Sequence, residues 1–261
     1  MTDAPPATEA VYARDADARS VVATVVAVDA GERAVALDRT VFFPGGGGQP
    51  HDTGRLTPAA GGPGWDVVAV AKRGDALFHT LSEADDGGDA LPAVGIRVQG
   101  DLDWAIRYRL MRTHTALHVL CGVVFRDYGA LVTGGNMAPD KARMDFEMDS
   151  ADFTPERVAE IERRANVEIT AGRDVRVRVL PRAEAFAIPD LIRTKVNLLP
   201  PGIAEIRTVE IVGLDLQADG GTHVANTREV GGLRVVGTRS KGKNNKRLEI
   251  VLTGGEGDEP G

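Results

Sequence analysis

The chain has a single cysteine, Cys121, among its 261 residues, so no internal disulfide can form. It has only six lysines, Lys72, Lys141, Lys195, Lys241, Lys243 and Lys246, although Lys and Arg together number 31. No apolar run is long enough to span a bilayer, and the opening "MTDAPPATEA" lacks the basic and apolar regions of a secretory leader. These absences set the expectation of a cytoplasmic protein. Positive charge is also in deficit. The 38 acidic residues give a net charge of -7, which argues against a general polyanion binder. A local basic stripe would still suffice for RNA contact. What the chain does have is size, with 43% hydrophobic residues, enough core for two units without staples.

The pattern along the chain predicts four segments. Residues 1–10 are small, polar and proline-containing, which predicts a disordered N-terminus. From 11 to 100 short strand candidates alternate with turn signals such as "DAGE" (29–32) and "RGD" (73–75), so a small β-barrel is the natural closure. At 101 the character changes. "DLDWAIRYRLMRTHTALHVLCGVVFRDYG" offers Asp101 or Asp103 as a helix cap and Gly129 as a stop. Leu110, Leu117, Leu120 and Val124 supply an apolar stripe at helical spacing. Thr154 and Pro155 then start a second helix. Strand patterns follow at 142–148, 174–181, 203–213, 233–241 and 246–252, so residues 101–253 read as an α+β domain. Residues 254–261 are expected to fray. The overall fold class is α+β.

Five histidines are present, and three of them fall in two short motifs. "HTALH" places His114 and His118 four apart, on one face of the first helix, a spacing that suits two ligands on one cation. It is not the zinc-protease motif, because Thr115 stands where that motif needs Glu. "DGGTH" places Asp219 and His223 in a loop whose Gly220 and Gly221 permit a tight turn. Two ligands from a helix and two from a glycine loop are how an open tetrahedral site is assembled. Thr222 is expected to cap that loop, and Asp215 and Gln217 to brace the ligands from behind. "GGGGQ" at 45–49 is no phosphate loop, since no Gly-Lys-Ser/Thr follows. "RSKGKNNKR" (239–247) carries five positive charges, on Arg239, Lys241, Lys243, Lys246 and Arg247, and no negative one. Phosphate contact is expected there. Arg107, Arg109 and Arg112, beside the histidine helix, are further candidates for guiding an RNA end.

"HTALH", "GGTHV…NT…EVG" downstream of it and, upstream of both, "TVFFPGGGGQPHDTGRL" (40–56) resemble the editing domain of alanyl-tRNA synthetases and its free-standing AlaX-type relatives of medium length. In that family the last stretch reads T-x-F-Y-P-x-G-G-G-Q-x-x-D-x-G. The resemblance implies an N-terminal barrel and a C-terminal editing domain of the threonyl/alanyl-tRNA synthetase type. It implies a zinc-dependent deacylase that frees serine, or glycine, from the transfer RNA for alanine. It makes His114, His118 and His223 zinc ligands, Gln49 a substrate-positioning residue and Thr40 a contact for the serine hydroxyl. The fourth ligand position is usually Cys in the family and is Asp219 here. Asp219, Cys121 or water could fill it, and the harder carboxylate admits another divalent ion. An alternative reading is a tRNA- or partner-binding module that has lost hydrolysis through the Cys-to-Asp change.

Overall fold

The computed structural model describes residues 5–197, 199 and 202–254. Residues 1–4 of the expected disordered N-terminus and 255–261 of the expected frayed end lie outside them. No helix among the described residues is long and apolar enough to cross a membrane. The chain divides into two compact units: residues 1–46 with 50–108, and residues 47–49 with 109–261. The division therefore falls inside a helix rather than at 101, and three residues of the glycine segment belong to the second unit.

The first unit is built of strands β1 (Glu9–Ala10), β2 (Ser20–Asp29), β3 (Ala34–Leu37), β4 (Arg39–Thr40), β5 (Gly54–Pro58), β6 (Trp65–Arg73), β7 (Ala76–Ala84) and β8 (Arg97–Leu102). Six of them pair in the closed order β2-β3-β7-β6-β5-β8, with β8 returning to β2. Period-two alternation turns Val35, Leu37, Leu56, Val67, Leu81 and Val98 into one shared core with Phe42 and Trp65. The expected disorder of 1–10 is corrected at its end. Thr8 donates its hydroxyl to Leu37 O at 2.7 Å, and Glu9–Ala10 pair in parallel with Arg39–Thr40. Satisfied backbone groups outweigh the low hydrophobicity there.

Arg107 is also corrected. It is 0% exposed rather than facing RNA, and Asp52, at 1%, is its counter-ion. Its Nε donates to Asp52 Oδ1 at 2.9 Å, Nη1 to Ala16 O at 3.0 Å and Nη2 to Val41 O at 2.7 Å. Asp52 Oδ2 also accepts from Phe43 N at 2.6 Å. The pair thus ties three loop segments together at the foot of α1 (Trp104–Tyr128), where Asp103 Oδ1 caps the amide of Ile106 at 3.2 Å.

In the second unit α1 is almost wholly buried from Leu110 to Val124. That explains its lack of a polar face. The remaining elements are β9 (Val132–Ala138), β10 (Lys141–Glu147), α2 (Pro155–Ala171), β11 (Val175–Pro181), α3 (Arg182–Phe186), β12 (Glu205–Ile211), β13 (Asp215–Ala218), β14 (Gly232–Ser240) and β15 (Asn245–Thr253). They form one sheet in the order β14-β15-β10-β9 and another in the order β11-β12-β13. Thr154 caps α2 as expected, its hydroxyl accepting from Arg157 N at 3.3 Å. Strands β5, β9 and β13 escape sequence reasoning because glycines or polar residues break their alternation.

The basic segment is largely consumed by the fold. Lys246 is 1% exposed, and its Nζ donates to Ser240 Oγ, Gly242 O and Lys243 O at 2.8–2.9 Å. Arg247 grips Asp145 at 2.6 and 2.8 Å, and Lys241 reaches the same carboxylate at 3.0 Å. Lys246 and Arg247 are thus corrected from phosphate contacts to inward-turned clamps on the β14–β15 hairpin and β10, while Lys241 keeps an exposed side chain beside its ion pair with Asp145. The reason is that a hairpin tip leaves carbonyls unpaired, and a cation is the cheapest donor for them. Arg239 and Lys243 remain exposed and make no ion pair among the described residues.

Candidate metal centre

Two elements and one loop bring the site together. His114 and His118 lie one turn apart on α1, with ring centroids 5.1 Å from each other. Asp219 follows β13, and His223 lies four residues further on. His223 stacks on His114 with centroids 4.2 Å apart. One donor atom from each of His114, His118, Asp219 and His223 lies within 4.8 Å of the others. From the Asp219 carboxylate, His223 Nε2 is 3.1 Å away, His114 Nε2 3.6 Å and His118 Nε2 4.0 Å. Tetrahedral ligands held at about 2.0–2.1 Å from zinc sit roughly 3.3 Å apart, so the set fits a single ion after small adjustments.

Each imidazole is held from behind at Nδ1. His114 Nδ1 donates to Gln49 Oε1 at 3.0 Å, His118 Nδ1 to Asp215 Oδ2 at 3.1 Å and His223 Nδ1 to Thr115 Oγ1 at 3.2 Å. A proton held on Nδ1 leaves Nε2 as the ligating atom, and all three Nε2 atoms face Asp219, that of His223 within hydrogen-bond distance of its Oδ2. Burial pushes His114 well below the usual histidine range, against the pull of Asp219. Burial likewise pushes His223 to about 4, opposed by its bond to Asp219. For His118 burial is outweighed by the Asp215 hydrogen bond and the Asp219 charge, and its pKa rises. Asp219 is also buried, which alone would raise it. The surrounding histidines outweigh that and hold it well below the usual carboxylate range. Mostly neutral imidazoles beside an ionised carboxylate are the protonation states a divalent ion requires.

The braces follow from local geometry. Asp215 and Gln217, two apart on β13, share a face. His118 and Cys121, three apart on α1, share another. The faces meet because Gly122 has no side chain: a Cβ there would lie 2.9 Å from Leu214 Cγ and 3.0 Å from Asp215 Cβ. Gln217 Nε2 donates to Asp215 Oδ2 at 2.6 Å and reaches Cys121 Sγ at 3.3 Å. Cys121 is thereby placed behind the ligands, and burial pushes its thiol up, away from the thiolate a metal needs. Asp219 is the better fourth donor. Its Oδ2 accepts from Gly221 N at 2.7 Å, and Arg207 Nη1 donates to its backbone carbonyl at 2.9 Å.

Gln49, expected beside substrate, spends its amide inside the site. Oε1 takes His114 and the Thr222 amide, and Nε2 donates to Thr222 Oγ1 at 2.8 Å. Thr222 is thus locked against Gln49. Thr40 lies in the first unit, fully buried. Its hydroxyl bonds His79 Nε2 at 2.8 Å and accepts from Phe42 N at 3.1 Å. Burial pushes His79 to about 4, so that ring is neutral. Arg112 is corrected from RNA contact: its guanidinium donates to Glu229 O at 2.9 Å and Val230 O at 2.8 Å. Arg109 pairs with Asp140. Asn226 closes a capping box with Glu229. Sequence reasoning missed Thr115, Arg207 and Arg193, whose Nε reaches Asp215 Oδ1 at 3.4 Å. A hydroxyl set between the two histidines of the helix was the available signal for Thr115.

A cavity of about 840 Å3 opens beside the four donors, lined by His114, His118 and Asp219 together with Met144, Arg193 and Asn136 among others. Residues 206–249 match the family described as the threonyl and alanyl tRNA synthetase second additional domain. The chain is 37% identical over 245 residues to the alanyl-tRNA editing protein AlaX-M of Methanosarcina acetivorans, covering 94% of this chain and 99% of that one. It is 38% identical to the AlaX-M of Saccharolobus solfataricus, over 94% and 99% of the two chains. It is also 40% identical over 222 residues to an alanine–tRNA ligase of Ignicoccus hospitalis, covering 83% of this chain and 23% of the ligase. Sharing more than a third of its residues with AlaX-M proteins along almost their full length, the chain belongs to the AlaX-M family of alanyl-tRNA editing proteins.

Proposed function

We propose that the protein is a trans-editing hydrolase that deacylates transfer RNA for alanine wrongly charged with serine, with glycine as the second candidate. The observation that carries this reading is the donor set itself: three imidazoles pinned at Nδ1, three Nε2 atoms turned toward one carboxylate, and a roomy cavity at their side. His114, His118, Asp219 and His223 would hold a divalent ion, zinc being the expected one. Such an ion supplies Lewis acidity toward an ester and its water. The chain's own residues do the rest. Gln49, Asp215 and Thr115 fix ring orientation, and Arg207 and the Gly221 amide keep Asp219 turned inward. No Ser-His-Asp arrangement competes as a nucleophilic site among the described residues.

The test is deacylation of Ser-tRNA against Ala-tRNA, each with the alanine-accepting RNA, with and without a chelator. Selective, chelator-sensitive serine release is expected, with turnover falling by about 100-fold or more in His223→Ala. A protein that binds the RNA but releases nothing, even with added zinc, would move the reading to a binding module disabled by Asp219. The same assay with Thr40→Val reads selectivity. Thr40 already donates its proton to neutral His79, so it has only an acceptor to offer a serine hydroxyl. Loss of the preference for serine is expected if Thr40 acts as a discriminator.

RNA contact is proposed for Arg239 and Lys243, the exposed cations of the basic segment that make no ion pair among the described residues. Replacing both with alanine is expected to weaken tRNA binding and to flatten the salt dependence by about two charge units. Filter binding across a salt series measures this. An unchanged slope would place the RNA elsewhere.

A further inference from the structure

The sheet β14-β15-β10-β9 has one buried face and one open face. Met144, Phe146, Leu248 and Ile250 are buried on the first. Period-two alternation then puts Lys141, Arg143, Asp145, Arg247 and Glu249 on the second. The registers add Asn136 opposite Arg143, Arg234 opposite Val251 and Arg239 opposite Arg247.

This open face is positive in a chain of net charge -7. Asp145 is already spent on Arg247 and Lys241. Glu249 stands opposite Arg143 but leans over Gly237, where a Cβ would lie 2.8 Å from its Oε2. Lys141, Arg143, Arg234 and Arg239 are exposed and make no ion pair among the described residues. Elsewhere, Arg55, Arg73 and Arg163 each find a carboxylate. Unpaired cations gathered on one face raise the local potential, which suits an anionic partner.

Shape and position narrow the partner. The bulge of β14 between Val235 and Gly237 leaves Val236 52% exposed. Beside it runs a groove of about 330 Å3, lined by Lys141, Arg143, Asn136 and Glu249 among others. Asn136 and Met137 line this groove and also the cavity that holds the metal donors, so β9 is the wall between the two. The one aromatic residue in the four strands, Phe146, is buried on the other face. Proteins hold single strands by stacking bases on aromatic rings, whereas duplexes are held through their phosphates. A cationic face without a stacking platform fits a duplex backbone.

We propose that the open face of this sheet, through Lys141, Arg143 and Arg234, seats the phosphate backbone of a double-stranded stem of the RNA. The proposal rests on the deacylase reading, which supplies an RNA whose charged end has to reach the cavity beside β9. It extends the contact from the hairpin tip, at Arg239 and Lys243, across the sheet. Phosphate contacts position without reading sequence, so stems of different sequence are expected to bind alike.

The test replaces Lys141, Arg143 and Arg234 together with alanine in the full chain. The probes are an uncharged RNA hairpin, an unpaired RNA strand of the same length and phosphatidylserine vesicles. Fluorescence anisotropy over a salt series should show the native protein preferring the hairpin. The variant should bind it roughly tenfold or more weakly, with the salt slope reduced by about two to three units. Its thermal midpoint should hold, because all three side chains are exposed. The matched variant Lys72→Ala, Arg97→Ala and Arg178→Ala removes three exposed cations from other strands and should leave hairpin binding nearly unchanged. An unchanged slope in the face variant would overturn the proposal, as would an equal loss in the matched variant. A preference for the unpaired strand or the vesicles would do the same. With Ser-tRNA, the face variant should raise KM and keep kcat. Hairpin binding lost in the variant, beside a native protein that releases no serine, would remove the reaction and leave the face standing.

Discussion

Asp52→Ala should cost about 3–5 kcal/mol of stability and lower the thermal midpoint by on the order of 10 °C. The variant leaves Arg107, 0% exposed, with a buried charge and no counter-ion. Three of its nitrogens would still reach Asp52's former position, Ala16 O and Val41 O, but only the two carbonyls would answer. The Phe43 amide would lose its acceptor as well. Calorimetric unfolding of the variant beside Arg107→Met and the double variant separates two effects. The single changes should each be severe, and the double change should recover part of the loss, because removing both charges avoids the unpaired one. A loss under about 1 kcal/mol for Asp52→Ala would mean that water reaches the guanidinium.

Gly221→Ala should lower metal affinity by about 10–100-fold without unfolding the protein, the range seen when a ligand's support is disturbed. The added Cβ would lie 2.3 Å from His114 Cε1, 2.4 Å from His114 Nδ1 and 2.6 Å from Gln49 Oε1. It would wedge itself into the hydrogen bond that fixes that imidazole. Gly220→Ala is the control, since nothing lies within 4 Å of its Cβ. Chelator competition on the two variants should show a loss only at 221. Equal affinity in both would mean that His114 can be held by the ion alone.

The histidines were legible in the sequence because their chemistry is local. Spacing on α1 and glycines in the loop put His114, His118, Asp219 and His223 on the page before any coordinates. The α+β class and the Thr154–Pro155 helix start were legible for the same reason. Charge was not. Arg247 and Arg112 were expected to touch RNA, yet each turns inward to a carboxylate or carbonyl more than a hundred positions away, and Lys246 folds back onto the carbonyls of its own hairpin tip. A cation's partner at long range leaves no mark beside it. Gln49 shows the reverse case. The resemblance flagged the residue, but its task, to hold His114 across 65 positions of chain, shows only in three dimensions.

That task sets a rule of inheritance. Residues 47–49 fold with the second unit although they lie within the first half of the chain. A gene fragment starting at residue 101 would encode all four donors and leave one imidazole unoriented. Inside the much longer ligase, too, a single stretch matches 83% of this chain. A graft of this chemistry onto another scaffold has to carry the loop along with the helix.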